Sequence, residues 1–228
     1  SAKPPEIPAG GPAEPPLQVG ILLLDGTYNT ELTAPYDVFH HTASHTEPGM
    51  RVFTIGRTRK MVTTYEGLRI QPDYDLETAP PIDVLVVPSG KHSMTTDLED
   101  LDLIQWVGHR GVNAKHVLSI CDGAFLLAES GLLRDRQCTT YPDDISEFQK
   151  QYPHIPVVEN VSFVADQETI TSAGGARSYE PALYLVEKLY GKKTAEDVAR
   201  GLVIDWQLEK VDHKVVEDEA GTAERPTG

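Results

Sequence analysis

The chain is predicted to be α/β, a three-layer sandwich around a mostly parallel, doubly wound sheet. Three observations carry this expectation. Segments with strand and helix signatures alternate along the sequence. Several of the strands are uniformly apolar, as strands covered on both faces are. The strongest strands each close on a short turn, at Asp25-Gly26, Pro88-Ser89-Gly90 and Cys121-Asp122-Gly123. Ligands of open α/β sheets sit beyond such strand ends.

Residues Ser1–Pro16 hold six prolines and two glycines with almost nothing to bury, and read as an extended, disordered leader. It is either a floppy terminus or a spacer left after export, so the compartment stays open between cytoplasm and periplasm. The folded domain is expected over 17–212. Leu17–Leu24 reads as the first buried strand and Thr33–His45 as a helix, with Ala34, Val38 and Phe39 on one side. Arg51–Gly56 is a second strand and Leu68–Gln71 a short edge segment. Ile82–Val87 is a buried strand, Leu98–Arg110 a helix, His116–Ile120 a strand, and Asp122–Ser130 the helix that it feeds. Gln137–Tyr141 reads as a strand and Asp143–Gln151 as a polar helix. Val161–Ala165 and Thr169–Ser172 form a hairpin-like unit, and helices at Tyr179–Tyr190 and Thr194–Asp205 end the domain. Residues 213–228 read as an acidic polar tail.

Composition narrows the function classes. The 228 residues carry 35 acidic and 20 basic side chains, a formal net charge of −15. Such a surface repels phosphate backbones and argues against nucleic-acid binding. No apolar run approaches the roughly 20 residues that span a bilayer. The two cysteines, Cys121 and Cys138, are too few for a disulfide framework, and at least one free thiol is expected. His41 and His45 have helical i,i+4 spacing but no acidic or cysteine partner, so no metal site and no cofactor is expected.

The segment Val117-Leu118-Ser119-Ile120-Cys121-Asp122-Gly123-Ala124-Phe125 is the most informative. A buried strand turns at one polar residue and becomes a helix, the pattern of a nucleophile elbow, and Gly123 and Ala124 permit the close approach that the turn needs. A cysteine there lies at a helix N-terminus, which favours a thiolate. The backbone N–H of Asp122 is placed to donate to an oxyanion.

The stretch SICDGAFLLAESGLLRDRQCTTYP resembles the elbow region of the ThiJ/PfpI superfamily, of class I glutamine amidotransferase-like fold. It is most similar to the isonitrile hydratase branch and to the amidotransferase-like half of AraC-type regulators. Two further segments match: Leu24–Phe39, where Glu31 fills the slot of an acidic residue pointing at the sulfur, and Thr171–Ala176, a glycine-rich turn. The resemblance covers about Val19–Trp206. It implies a flavodoxin-like sandwich, a homodimer, Cys121 as nucleophile and Glu31 as acid/base partner. A carboxyl beside a buried sulfur would be kept protonated and could donate to it. Gly90 is expected as a second oxyanion donor, with Ser89, His92 and Tyr141 as pocket residues.

Departures from the pattern bear on activity. Asp122 and Tyr141 stand where family members that hydrolyse amides carry a histidine, so no Cys-His dyad is matched. Pro88-Ser89-Gly90 replaces the usual Pro-Gly-Gly. The resemblance thus implies a cysteine-dependent hydratase or hydrolase adding water to a small electrophile, as an isonitrile hydratase-like lyase does. The alternatives are a non-catalytic ligand- or redox-sensing domain, or glyoxalase- or deglycase-like chemistry.

Overall fold

A computed structural model describes residues 14–217. The eight-stranded sheet runs β10-β8-β9-β7-β6-β1-β2-β5. Its parallel part comprises β1 (Leu17–Leu23), β2 (Met50–Gly56), β5 (Tyr74–Asp75), β6 (Val84–Val87), β7 (His116–Ile120) and β9 (Thr169–Ser172). β8 (Phe163–Asp166) runs antiparallel to β9, and β10 (His213–Val216) follows β8 in parallel. Two further short strands, β3 (Val62–Thr63) and β4 (Arg69–Ile70), form a separate ribbon.

Successive residues of β1 feed opposite faces, which is the period-2 rule acting in a strand covered on both sides. Val19, Ile21 and Leu23 enter one core with Val38 and Phe39 of α1 (Asn29–His41), Leu183 of α6 (Tyr179–Tyr190) and Val198 of α7 (Lys192–Gly201). Leu22 enters the other with Leu103 and Val107 of α3 (Leu101–Asn113), Phe125 of α4 (Gly123–Glu129) and Phe148 of α5 (Ile145–Gln151). Phe125, Phe148 and Tyr152 pack edge-on or tilted with ring centroids 5.0–6.1 Å apart. A single-turn helix, α2 (Thr96–Glu99), precedes α3, whose first turn is capped by the Asp100 side chain accepting from Leu103 N–H.

The expected α/β sandwich is thus the fold, with four local corrections. α1 starts at Asn29 rather than Thr33, which puts Glu31 in a helical turn instead of a loop. Gln137–Tyr141 is not a strand. Its amides are taken elsewhere, Gln137 N–H by the Asp166 side chain, Cys138 N–H by Pro156 O and Thr139 N–H by Thr171 Oγ1. Arg69–Ile70 lies in the small ribbon instead of at the edge of the main sheet. The sheet also takes in His213–Val216, assigned from sequence to the tail. An edge strand tolerates that polar pattern because one side of it stays wet. The leader expected over Ser1–Pro16 and the acidic tail from Asp218 onward fall largely or wholly outside the described residues. Among those described, no helix is long and apolar enough to cross a membrane.

β1 is followed by β2 on one side and has β6 on the other, so the strand order reverses between β1 and β6. Crevices at such reversals are where open α/β sheets bind ligands. The loops after both strands meet there, with a bridge between Thr27 and Gly90.

Candidate active site

Cys121 follows the last residue of β7 and takes φ +54°, a left-handed conformation uncommon for a side-chain-bearing residue. The next segment can leave the sheet only because residue 123 is glycine: a Cβ there would lie 2.0 Å from Val87 O. The elbow is held from three sides. Cys121 N–H donates to Ser172 O at 3.0 Å, Thr140 Oγ1 lies 3.1 Å from Cys121 O, and Gly174 packs over the sulfur-bearing carbon. At Gly174 φ is +86°, and a Cβ would meet Cys121 Cβ at 2.5 Å and Glu31 Oε1 at 3.0 Å.

Glu31, in the first turn of α1, is 5% exposed. Four donors surround its carboxyl: the Ser89 hydroxyl, the Ser89 N–H at 3.2 Å, the Gly175 N–H and the Cys121 thiol. A carboxylate has about four acceptor positions, so this set suits the ionised form. Burial works the other way and raises the pKa above the usual glutamate value, with the hydrogen bonds pulling back. The Cys121 thiol is pushed far above its ordinary range by burial first and by Glu31 and Asp122 next, while the Ser89 hydroxyl pulls it down. Burial thus works against the thiolate expected from its place at a helix N-terminus. α4 is only seven residues long, and desolvation outweighs it.

Asp122 is also buried, at 8% exposure. Desolvation raises its pKa most, and a hydrogen bond with the Asp144 carboxyl adds to the rise. Thr140 Oγ1 carries one hydrogen and lies within bonding distance of two acceptors, Cys121 O at 3.1 Å and Asp122 Oδ1 at 2.8 Å. Donation to Asp122 pulls its pKa back against burial.

The structure brings together Cys121, Glu31, Ser89 and Asp122. The Asp122 N–H has no acceptor among the described residues, whereas Gly90 spends its N–H on Ser93 Oγ at 2.8 Å, which removes Gly90 as an oxyanion donor in this arrangement. Tyr141 is 40% exposed and directs its hydroxyl to Asp143 at 3.4 Å, close enough for the sulfur to influence its titration. His92 lies instead beside Gly26 and near Asp97, with no contact to the sulfur or to Glu31. Both cysteines are free, and burial pushes the Cys138 thiol up to about 12. Sequence reasoning missed Thr140 as the link between the elbow and Asp122, since nothing in a Thr-Thr dipeptide marks it. A cleft of about 460 Å³, lined in part by Thr139, Thr140, Asn160 and Arg177, adjoins the elbow through Thr140.

Such a buried cysteine at a strand–helix elbow, faced by a carboxyl from the helix after β1, defines a class: flavodoxin-like α/β proteins with a cysteine at the elbow. The chain belongs to the DJ-1/PfpI family, whose pattern matches residues 17–188. It is 30% identical over 183 residues to the isonitrile hydratase of Pseudomonas putida, covering 79% of this chain and 75% of that protein. It is 23% identical over 205 residues to the HTH-type transcriptional regulator GbdR of Pseudomonas aeruginosa, 88% of this chain but only 54% of the regulator. The chain thus spans about half of that relative. Among solved structures, a ThiJ/PfpI family protein from Pseudomonas syringae matches with TM-score 0.73 at 23% identity, over 90% of this chain and 83% of that one. Drosophila melanogaster DJ-1beta matches with TM-score 0.72 at 24% identity, over 84% and 100%.

Proposed function

We propose that the protein is a cysteine-dependent enzyme that adds water to a small electrophile, in the manner of an isonitrile hydratase, with Cys121 as nucleophile and Glu31 as acid/base. The observation that carries this reading is the Cys121 sulfur held against an otherwise fully donated, buried Glu31 carboxyl, without a histidine in contact. The similarity to the Pseudomonas putida isonitrile hydratase supports it.

For a substrate R–N≡C, the sulfur forms a bond to the terminal carbon and the S–H proton, received by Glu31, is delivered to that same carbon. The product is a thioimidate, R–N=CH–S–Cys121. Water then adds across the C=N bond, its oxygen to carbon and its hydrogen to nitrogen. Collapse breaks the C–S bond, returns a proton to sulfur and releases the formamide R–NH–CHO. The Asp122 N–H, without an acceptor among the described residues, is the candidate donor to the added oxygen. Asp122 and Tyr141 in place of histidine leave the proton transfers to carboxyls, which accords with a reaction that expels no amine.

The test is turnover of alkyl isonitriles by the parent, Cys121→Ser and Glu31→Gln. Formamide production is expected from the parent, with a fall of at least about 10²-fold in each variant. Activity surviving Cys121→Ser would sink the nucleophile assignment. Inert parent protein that binds a metabolite tightly would favour a ligand-sensing role instead.

A further inference from the structure

The strand ends beside Cys121 form a row whose hydrogen bonds fix the order of the residues along it. Cys121 N–H donates to Ser172 O at 3.0 Å, Ala173 N–H to Ser162 O at 2.8 Å, and Ser162 N–H to Asp212 O at 2.7 Å. The row thus runs from the elbow after β7, past one end of β9 and of β8, to the residue before β10. At about 4.8 Å per strand, Asp212 stands about 14 Å from the elbow. The cleft of about 460 Å³ that adjoins Thr140 lies along this row, with Ala173 and Asp212 both in its lining. Arg177 is the one cationic side chain that lines it. No carboxylate lies within ion-pair distance of that guanidinium among the described residues. The root of the side chain is fixed: Arg177 N–H donates to Gly174 O at 3.2 Å, and Ser178 Oγ closes the same turn on Gly175 O at 2.7 Å. Gly174 is the residue that packs on Cys121 Cβ, so the cation stands at the elbow end of the cleft.

We propose that this cleft receives the part of the substrate that does not react, and that Arg177 anchors a carboxylate carried by that part. This rests on the reading of Cys121 as nucleophile. A guanidinium without a protein partner offers parallel N–H groups that match a carboxylate in two-point contact. Asn160, in the same lining, adds a side-chain amide with two further donors. The charge of the whole chain sharpens the assignment. At −15 the surface as a whole repels anions, so an anionic substrate reaches the elbow only where a local cation offsets that field. Asp212, at the far end of the row, and Glu159 are the anionic side chains of the lining, which keeps a bound carboxylate to the Arg177 end. The substrate class is then a small electrophile bearing a carboxylate near its reacting carbon. In the proposed reaction it is an isocyano acid rather than a neutral alkyl isonitrile, and the formamide product keeps the carboxylate.

The experiment uses the full chain and two alkylating probes, N-iodoacetylglycine and its neutral amide, which share a reactive carbon and differ by one carboxylate. The rate of each at Cys121 is read by mass spectrometry of the modified peptide. The ratio of acid to amide is then divided by the same ratio for 2-mercaptoethanol, which cancels intrinsic reactivity. The parent is compared with Arg177→Gln, Arg177→Ala and Arg177→Lys, with Cys121→Ser as the blank. Arg177 is exposed, so the variants should fold, and thermal unfolding checks that they do. The parent is expected to prefer the acid by about fivefold over the free thiol, whereas its net charge alone would disfavour the acid. Arg177→Gln and Arg177→Ala should lose the preference, and Arg177→Lys should keep part of it. A parent ratio at or below that of the free thiol overturns the proposal. So does a preference that survives in folded Arg177→Gln. Failure of both probes at Cys121 of the native parent, with labelling on unfolding, overturns the nucleophile reading and this proposal together. Labelling without a preference for the acid removes Arg177 alone.

Discussion

Gly174 shows how closely the site is bounded by single atoms. Its φ of +86° with ψ −158° belongs to a region open essentially to glycine alone, and an added Cβ would stand 2.5 Å from Cys121 Cβ. Gly174→Ala is therefore expected to cost about 3 kcal/mol or more in urea unfolding, and to slow Cys121 alkylation by displacing the loop that covers it. An unchanged midpoint and slope would show that the loop does not bear on the elbow. The two cysteines should separate cleanly in the native protein. Cys138 is fully buried whereas Cys121 keeps 5% exposure, so native protein should incorporate one equivalent of alkylating reagent, at Cys121, and a second only on unfolding. Mass spectrometry of the modified peptide decides this. At this scale the elbow at Cys121 was legible from its strand–turn–helix pattern, whereas Glu31 and the glycine-rich turn came only with the family resemblance. Sequence reading could not reach the Thr140–Asp122 link or the double donation from Ser89 to Glu31. Those depend on which of several hydroxyls the folded loops bring within 3 Å, and residue type alone does not carry that.

Among the elements, the apolar strands β1, β6 and β7 were legible because burial on both faces leaves a continuous hydrophobic run. The errors fell where hydrogen bonding is decided by a partner far along the chain. Gln137–Tyr141 has the composition of a strand, yet its amides find Asp166, Pro156 and Thr171, and no ladder forms. β10 has the opposite history. His213-Lys214-Val215-Val216 reads as polar tail, but it pairs with β8 in register from His213–Phe163 to Val216–Asp166, and the His213 ring stacks on Phe163 with centroids 5.1 Å apart. Ending the chain at Asp212 is expected to lower stability by about 1–2 kcal/mol, a fall in Tm of roughly 2–8 °C for a domain of this size. It would also bare the edge of β8, so concentration-dependent association should increase. Calorimetry and light scattering on the shortened chain check both effects, and an unaltered Tm would return these residues to the tail.

For the whole molecule, the site imposes a pH dependence opposite to that of ordinary salt-bridged carboxylates. Glu31 and Asp122 both have folded-state pKa values raised by burial. The folded state then binds more protons than the unfolded one over the interval between the ordinary carboxylate value, about 4, and each raised value. Stability supplied by the neutral carboxyls is complete below that interval and is lost as pH rises through it, at up to about 1.4 kcal/mol per pH unit for each group. His116 works in the opposite sense, because burial lowers its pKa and its neutral form is favoured once pH exceeds the ordinary histidine value of 6.5. Comparing the parent with a Glu31→Gln/Asp122→Asn double variant cancels the histidine and the effect of the −15 net charge alike. The parent's unfolding free energy should therefore decline relative to the variant's between pH 5 and 8, with the two curves parallel below pH 4. Parallel curves across the whole range would mean that neither carboxyl is held neutral.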